Sequence, residues 1–183
     1  MRTVLFIAVF GLIASALAHF STFLGVNPQR AVPWVWMLHF LIFVVWIPAI
    51  ASVRKTCSGC SRRDFWKTAT RDAPRWMKAM CAVLFAYAFF NFFFTIFVLN
   101  EGGGPHEIDG KKVLSNHGRI IRALTDEEYE LHQAYVVRTF SGHWMVFYAI
   151  GMTVLYSGTR RNSGPQEGTD SPMASEGKAS EAG

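Results

Sequence analysis

Four stretches of this chain carry no Asp, Glu, Lys or Arg: residues 3–29, 31–53, 79–100 and 139–159. An α-helix rises about 1.5 Å per residue, so roughly 20 residues cover the ~30 Å of hydrocarbon in a bilayer. Each stretch is long enough to cross. None offers the charged opposing face that an amphipathic helix of a soluble domain needs. The sequence therefore predicts an all-α protein, a four-helix transmembrane bundle with a small extracytoplasmic hairpin/helix insertion between helices 3 and 4. The spans fall at about 3–25, 32–53, 77–100 and 139–158, the insertion at 101–138, and a disordered cytoplasmic tail at 159–183.

Composition supports this reading. With 183 residues the chain is one domain of ordinary size. Its 16 Phe and 6 Trp suit an outer surface that faces lipid. The net charge of +5 raises the question of nucleic acid, but eight of the 18 basic residues lie between Arg54 and Lys78, against only Asp64 and Asp72. A basic connection between two spans is what the positive-inside rule produces, and it attracts anionic lipid headgroups. No nucleic-acid recognition motif accompanies the charge, so nucleic acid is not expected as a partner.

The same rule orients the chain. Residues 101–138 hold seven acids, Glu101 to Glu130, against five basic residues. Span four is followed by Arg160 and Arg161. Placing the 54–78 loop inside puts both termini in the cytoplasm and the acidic segment outside, in a multi-pass protein of the plasma (inner) membrane. Trp34, Trp36 and Trp144 then fall at the outer boundary and Trp76 at the inner one. Span one has a rival reading: Arg2, an apolar run and Ala16-Leu17-Ala18 have the form of a signal peptide cleaved after Ala18. The apolar stretch continues to Leu24, longer than a signal core, so retention as an anchor is expected. Cleavage would leave the orientation of the rest unchanged.

Local signals fill in the connections. Ser61 with Asp64 can cap a short helix on the inner face, in which Phe65 and Trp66 mix with Arg62, Arg63, Lys67 and Arg71, a composition for lying on anionic lipid. Outside, Glu101-Gly102-Gly103-Gly104-Pro105 reads as a flexible exit and Asp109-Gly110 as a turn. Val113-Leu114 and Ile120-Ile121 flank Asn116-His117-Gly118 as a small hairpin. Thr125 and Glu128 form a capping box, opening a helix from about Asp126 that runs into span four. Beyond Gly158 the chain is rich in Gly, Ser, Glu and Pro, with Met173 its one large apolar residue, and cannot bury a core.

Polar groups inside the spans are the candidate functional residues. All six histidines fall on the expected outer half. His19, His39 and His143 belong to spans one, two and four at similar depth, where they could reach a common layer. Two such imidazoles could ligate a haem, and three could hold zinc or copper. The plainer alternative is that each hydrogen-bonds across helices, and it is adopted because no metal-binding spacing supports the cluster. Ser15, His19 and Thr22 share one face of span one. Asn91, central in span three, needs a partner on another helix. Gly11 with Ser15, and Ala14 with Ala18, permit close helix approach, either within the bundle or between copies. Cys57 and Cys60 have zinc-knuckle or redox spacing. The inner loop offers no histidine to complete a metal site, so free thiols are expected.

No phosphate loop, dinucleotide fingerprint or nucleophile elbow occurs. The first functional reading is a small integral membrane protein without enzymatic activity, acting through helix, protein or lipid contacts, with a homo-oligomer or a membrane protein as possible partner. The alternatives are a haem- or metal-binding redox protein using His19, His39 and His143, and a small transporter or channel subunit.

Overall fold

A computed structural model describes residues 1–162. Most of the expected tail lies outside the described residues, but 159–162 continue the last helix as regular structure. The molecule is mostly helical. Helix α1 spans Arg2–Ser21 and tightens into a 3₁₀ turn at Thr22–Leu24. A single turn, α2 (Pro28–Ala31), leads to α3 (Met37–Thr56). The basic connection holds α4 (Arg62–Thr70), and α5 (Arg75–Phe93) runs on through a π-helical segment, Phe94–Leu99. Helix α6, Asp126–Asn162, is the longest element.

Three of these helices, Arg2–Leu24, Met37–Thr56 and Arg75–Leu99, are long and apolar enough to cross a membrane. Helix α6, expected to supply the fourth span, does not join them, because Ser141, Gly142, His143, Thr153 and Ser157 dilute its apolar content. Its position compensates. It is the hub: α1, α3 and α5 all pack against it. Its residues Trp144, Tyr148, Ala149 and Leu155 are almost wholly buried. The three surrounding helices turn Phe6, Phe10, Leu17, Phe40, Ile47, Phe85, Phe90 and Phe97 outward.

Cross-helix contacts give the directions. Met1 lies beside Gly158 while His19 reaches Ser141, so α1 is antiparallel to α6. Helix α3 is parallel to α6: Leu38 and Ser52 lie against Tyr148 and Gly158. Asn91 on Arg138 and Cys81 on Thr153 make α5 antiparallel. One end of the bundle thus gathers the start of α1, the basic corner and the end of α6. There Arg161 donates to the carbonyl of Thr68 at 2.7 Å and pairs with Asp72 at 3.4 Å.

The 101–138 segment differs from the expected hairpin by one strand. Gly104–Ile108, whose first two residues were expected in a flexible exit, forms β1; β2 is Lys111–Asn116 and β3 is Arg119–Ala123, in an antiparallel meander ordered β1-β2-β3. Both turns place two residues at positive φ, Asp109 and Gly110 (51° and 71°) and His117 and Gly118 (48° and 81°). That backbone hand matches the twist of the paired strands. Gly103, just before β1, passes close to a β3 side chain: a Cβ there would stand 2.7 Å from Ile121 Cδ1. Val113 and Leu114 of β2 are both buried, and β1 and β2 pack against α6. The capping box forms as expected, with Thr125 N–H donating to Glu128 and Glu128 N–H to Thr125 Oγ1.

The basic corner brings a second difference. Cys57 and Cys60, expected as free thiols, are joined by a disulfide with Cα atoms 5.5 Å apart. Gly59 at φ 76° closes the turn that brings the two sulfurs together. Ser61 caps α4 through Asp64 N–H at 3.2 Å, and Ala69 seats that helix on the bundle.

Close approach of α1 to α6 depends on Gly11. A Cβ there would overlap the ring of Tyr148, whose hydroxyl donates to Leu38 O at 2.6 Å and so fixes the ring from the far side. Gly11→Val is expected to cost about 1–3 kcal/mol, the usual penalty for overpacking a filled interior. Thermal unfolding of the detergent-purified protein measures it. An unchanged midpoint would show that α1 does not seat on α6 as described.

Candidate functional site

The polar residues of the bundle meet in one layer near the end of α6 that carries the sheet. Helical spacing places Ser15, His19 and Thr22 on one buried face of α1. His19 Nδ1 lies 2.9 Å from Ser141 Oγ and Nε2 lies 2.6 Å from the Tyr87 hydroxyl. Ser141 in turn donates to the carbonyl of Arg138 at 3.2 Å. One set of donors satisfies the whole series: Tyr87 O–H to His19 Nε2, His19 Nδ1–H to Ser141, and Ser141 O–H to Arg138 O. A neutral imidazole with its proton on Nδ1 fits that series.

Asn91 completes the layer from α5. Its Nδ2 donates to Arg138 O at 3.2 Å, and its Oδ1 accepts from Arg138 Nε at 3.0 Å. Thr95, one turn on, donates to the same Oδ1 at 3.4 Å. The Arg138 guanidinium lies 3.7 Å above the centre of the Phe23 ring, a cation–π contact. Gly142 leaves the space that the Asn91 amide fills, since a Cβ there would sit 3.3 Å from Nδ2. Each polar group here answers another. Ser15 Oγ, by contrast, is buried and unpaired among the described residues.

A second polar cluster joins the bundle to the sheet. His132 Nδ1 lies 2.8 Å from Asn100 Oδ1, and Arg122 Nη2 lies 3.3 Å from His132 Nε2. Arg122 also pairs with Glu101 at 3.1 Å and Glu128 at 2.7 Å. These two carboxylates raise the Arg122 pKa, while the Thr125 N–H, then Arg122, holds that of Glu128 below the usual carboxylate range. The π-helical segment makes this cluster possible. At ~100° per residue an uninterrupted α-helix would carry Asn100 away from the face that bears Asn91. The wider turn, closed by Asn100 N–H on Thr95 O at 2.8 Å, rotates Asn100 back toward α6.

The three histidines offered as a ligand set do not converge. His19 is engaged as above, His39 Nδ1 accepts from Trp144 Nε1 at 3.1 Å, and His143 Nδ1 lies 2.9 Å from Thr139 O on its own helix. His143 also meets Phe92 edge-on, and His39 sits among Phe40, Phe43, Phe140 and Trp144. Among the described residues no group of three His, Cys, Asp or Glu side chains is placed to hold a metal ion. His19, His39 and His143 thus take separate partners.

Tyr87, Arg138, Ser141 and Asn100 escaped the sequence reading. Tyr87 stands among apolar residues, and Arg138 and Asn100 stand at the edges of the expected spans, where polar residues are expected anyway. Only their partners give them meaning. Toward the sheet-bearing end, α1 and α3 also enclose an apolar groove of about 720 Å³, with Phe10, Leu17, Val32, Trp34 and Leu41 among its walls. That volume is in the range of small-molecule sites. Comparison with protein-family models, with curated proteins and with solved structures finds no match for this chain.

Two outcomes follow from this geometry. Asn91→Ala leaves the Arg138 guanidinium and carbonyl each short of a partner, and is expected to destabilise by about 1–3 kcal/mol. Tyr87→Phe removes one hydrogen bond and should cost about 1 kcal/mol. Unfolding midpoints in one detergent rank the two, and a reversed order would remove Asn91 from the centre of the layer.

His132 sets a pH dependence. Burial first, then the Arg122 charge, lowers its pKa below the ordinary value of 6.5. Its contribution to stability is therefore complete above ~6.5, where folded and unfolded chains both hold it neutral, and is lost as pH falls through the depressed folded value. Melting scans from pH 8 to pH 5 should show a shallower acid decline in His132→Asn than in the parent. Parallel curves would show that His132 titrates normally.

Proposed function

We propose that this chain is a four-span protein of the plasma (inner) membrane, with the basic corner and both termini in the cytoplasm and the sheet outside. It works through contacts with lipid and with neighbouring membrane proteins, not through catalysis. One observation carries the reading: the sorting of side chains across the bundle. Large apolar groups on α1, α3 and α5 face outward, while the polar groups around α6 face inward and bond to one another. Apart from Ser15 Oγ, the polar side chains of that interior are answered by one another, which leaves little for a substrate. An exterior of Phe, Leu, Ile and Val suits hydrocarbon.

The fourth span in this reading is 139–158 of α6, less apolar than the others because protein, not lipid, surrounds it. The orientation rests on charge. The bundle end with Arg54, Lys55, Arg62, Arg63, Lys67 and Arg71 would face the cytoplasm, and the end with Glu101, Asp126, Glu127 and Glu128 the exterior. Helix α4 would then lie at the inner surface, its arginines and lysine toward anionic headgroups and its Phe65 and Ala69 toward the bundle.

Alkaline carbonate should leave the protein in the membrane pellet. A phosphatase inserted near Gly103 should be active, and a cytoplasmic reporter fused after Gly183 should be active as well. Activity of the phosphatase only when fused after Gly183 would invert the topology. Replacing Arg62, Arg63, Lys67 and Arg71 together by Gln should weaken retention of anionic phospholipid by about 1 kcal/mol per charge. Fluorescent phosphatidylglycerol exchanged into purified protein reads that loss, and equal retention would remove α4 as a lipid contact.

A further inference from the structure

The bond between Cys57 and Cys60 is not explained by stability or by the contact function above. It ties no separate elements together. It closes a four-residue ring (57–60) in the corner between α3 and α4, and a loop so short constrains the unfolded chain far less than a long one. The corner is already fixed without it. Cys57 N–H bonds Val53 O at 2.9 Å to end α3, Ser61 caps α4, and Ala69 and Phe65 pack that helix onto the bundle.

The two sulfurs have different surroundings. Cys57 packs against the apolar core at the end of α3. Cys60 directly precedes the N-cap of α4, behind the exposed Ser58 and Gly59 and ahead of the exposed Arg62 and Arg63. A helix N-terminus and adjacent guanidinium groups favour a thiolate. The reduced form also has a place to rest, because Cys60 Sγ lies 3.2 Å from Cys57 O, within reach of a thiol donor.

We propose that Cys57 and Cys60 form a thiol–disulfide exchange site whose substrates are small thiols of the glutathione class, with Cys60 as the sulfur through which exchange enters. An incoming thiolate attacks Cys60 Sγ, a mixed disulfide forms there, and the Cys57–Cys60 bond breaks to leave Cys57 as thiolate. A second thiolate attacks the outer sulfur of that mixed disulfide, releasing the oxidised small disulfide and a Cys60 thiolate. Two thiols are oxidised to one disulfide and the protein disulfide is reduced to two thiols, which take up the protons released. Oxidation retraces the steps, with Cys60 attacking and Cys57 resolving. The chemistry is the same on either side of the membrane; the side decides which thiol pool it meets.

The test uses the full chain in detergent, with Cys81→Ser to remove the remaining thiol. The protein is equilibrated with reduced and oxidised glutathione at graded ratios, quenched in acid and read by intact mass after maleimide labelling. The two cysteines should titrate together, with the ratio of reduced to oxidised protein proportional to the squared concentration of reduced glutathione divided by the concentration of oxidised glutathione. In oxidised glutathione, Cys57→Ser should hold one stable glutathione adduct on Cys60, and Cys60→Ser should form an adduct on Cys57 at least tenfold more slowly. A pair that stays closed at the reducing limit, never closes at the oxidising limit, or takes glutathione equally fast at both positions overturns the proposal. Labelling reduced intact cells with a membrane-impermeant maleimide separates this from topology. Modification before lysis would defeat the cytoplasmic placement of the corner while leaving the exchange measurement untouched.

Discussion

The pairing of Asn91 with Arg138 is the contact on which the arrangement of this bundle depends. A backbone carbonyl and a guanidinium nitrogen of α6 are both answered by a single amide from α5. An amide so deep in an apolar helix has a strong penalty if unpaired, and the same holds for a guanidinium drawn toward the bundle. Satisfying both at once fixes the height and the rotation of α5 against α6. Once those are set, Thr95 meets Asn91, Gly142 lies under the amide, and Ser141 faces α1 where His19 waits. Apolar packing alone tolerates sliding between helices. Directional polar contacts do not, and here they come from three helices at nearly one level.

This explains the unequal apolar character of the helices. A helix enclosed by three others gains nothing from being uniformly apolar, because its neighbours and not lipid are its surroundings. Small and hydroxyl residues serve it better. Gly151 admits Val45 and Trp46, Gly11 on α1 admits Tyr148, and Thr153 meets Cys81. The outer helices face the opposite demand and carry Phe, Leu and Val on their free sides. The hub is therefore the least apolar of the long helices, even though it is the one most enclosed by protein.

The helices themselves were legible in the sequence because absence of charge is a composition signal that survives any packing. The capping pairs Ser61–Asp64 and Thr125–Glu128 were legible because their partners lie three residues apart. The strand Gly104–Ile108 was not: Gly104 and Pro105 read locally as loop, and only pairing with Lys111–Ser115 makes the segment a strand. The π-helical turn left no mark, since it is driven by contacts to α6. The histidines were only partly legible. Similar depth in three expected spans left a shared ligand open as an alternative to separate hydrogen bonds, because depth says nothing of rotation about each helix axis. His19 turns to Tyr87 and Ser141, His39 to Trp144, and His143 back to its own helix.

The same polar logic links the bundle to the sheet. Asn91, Thr95 and Asn100 climb one side of α5 and its π-helical extension, and each meets a partner, the first and last on α6. His132 then passes the contact to Arg122 of β3, which closes on Glu101 and Glu128. Strand β3 is thus held by charges that converge on a half-exposed guanidinium, while β2 is held by the buried Val113 and Leu114. Exposed ion pairs are weak and salt-sensitive, whereas apolar burial is not. Loosening of this small domain should therefore begin at β3 and its turn, with β2 remaining on α6 until the bundle itself gives way.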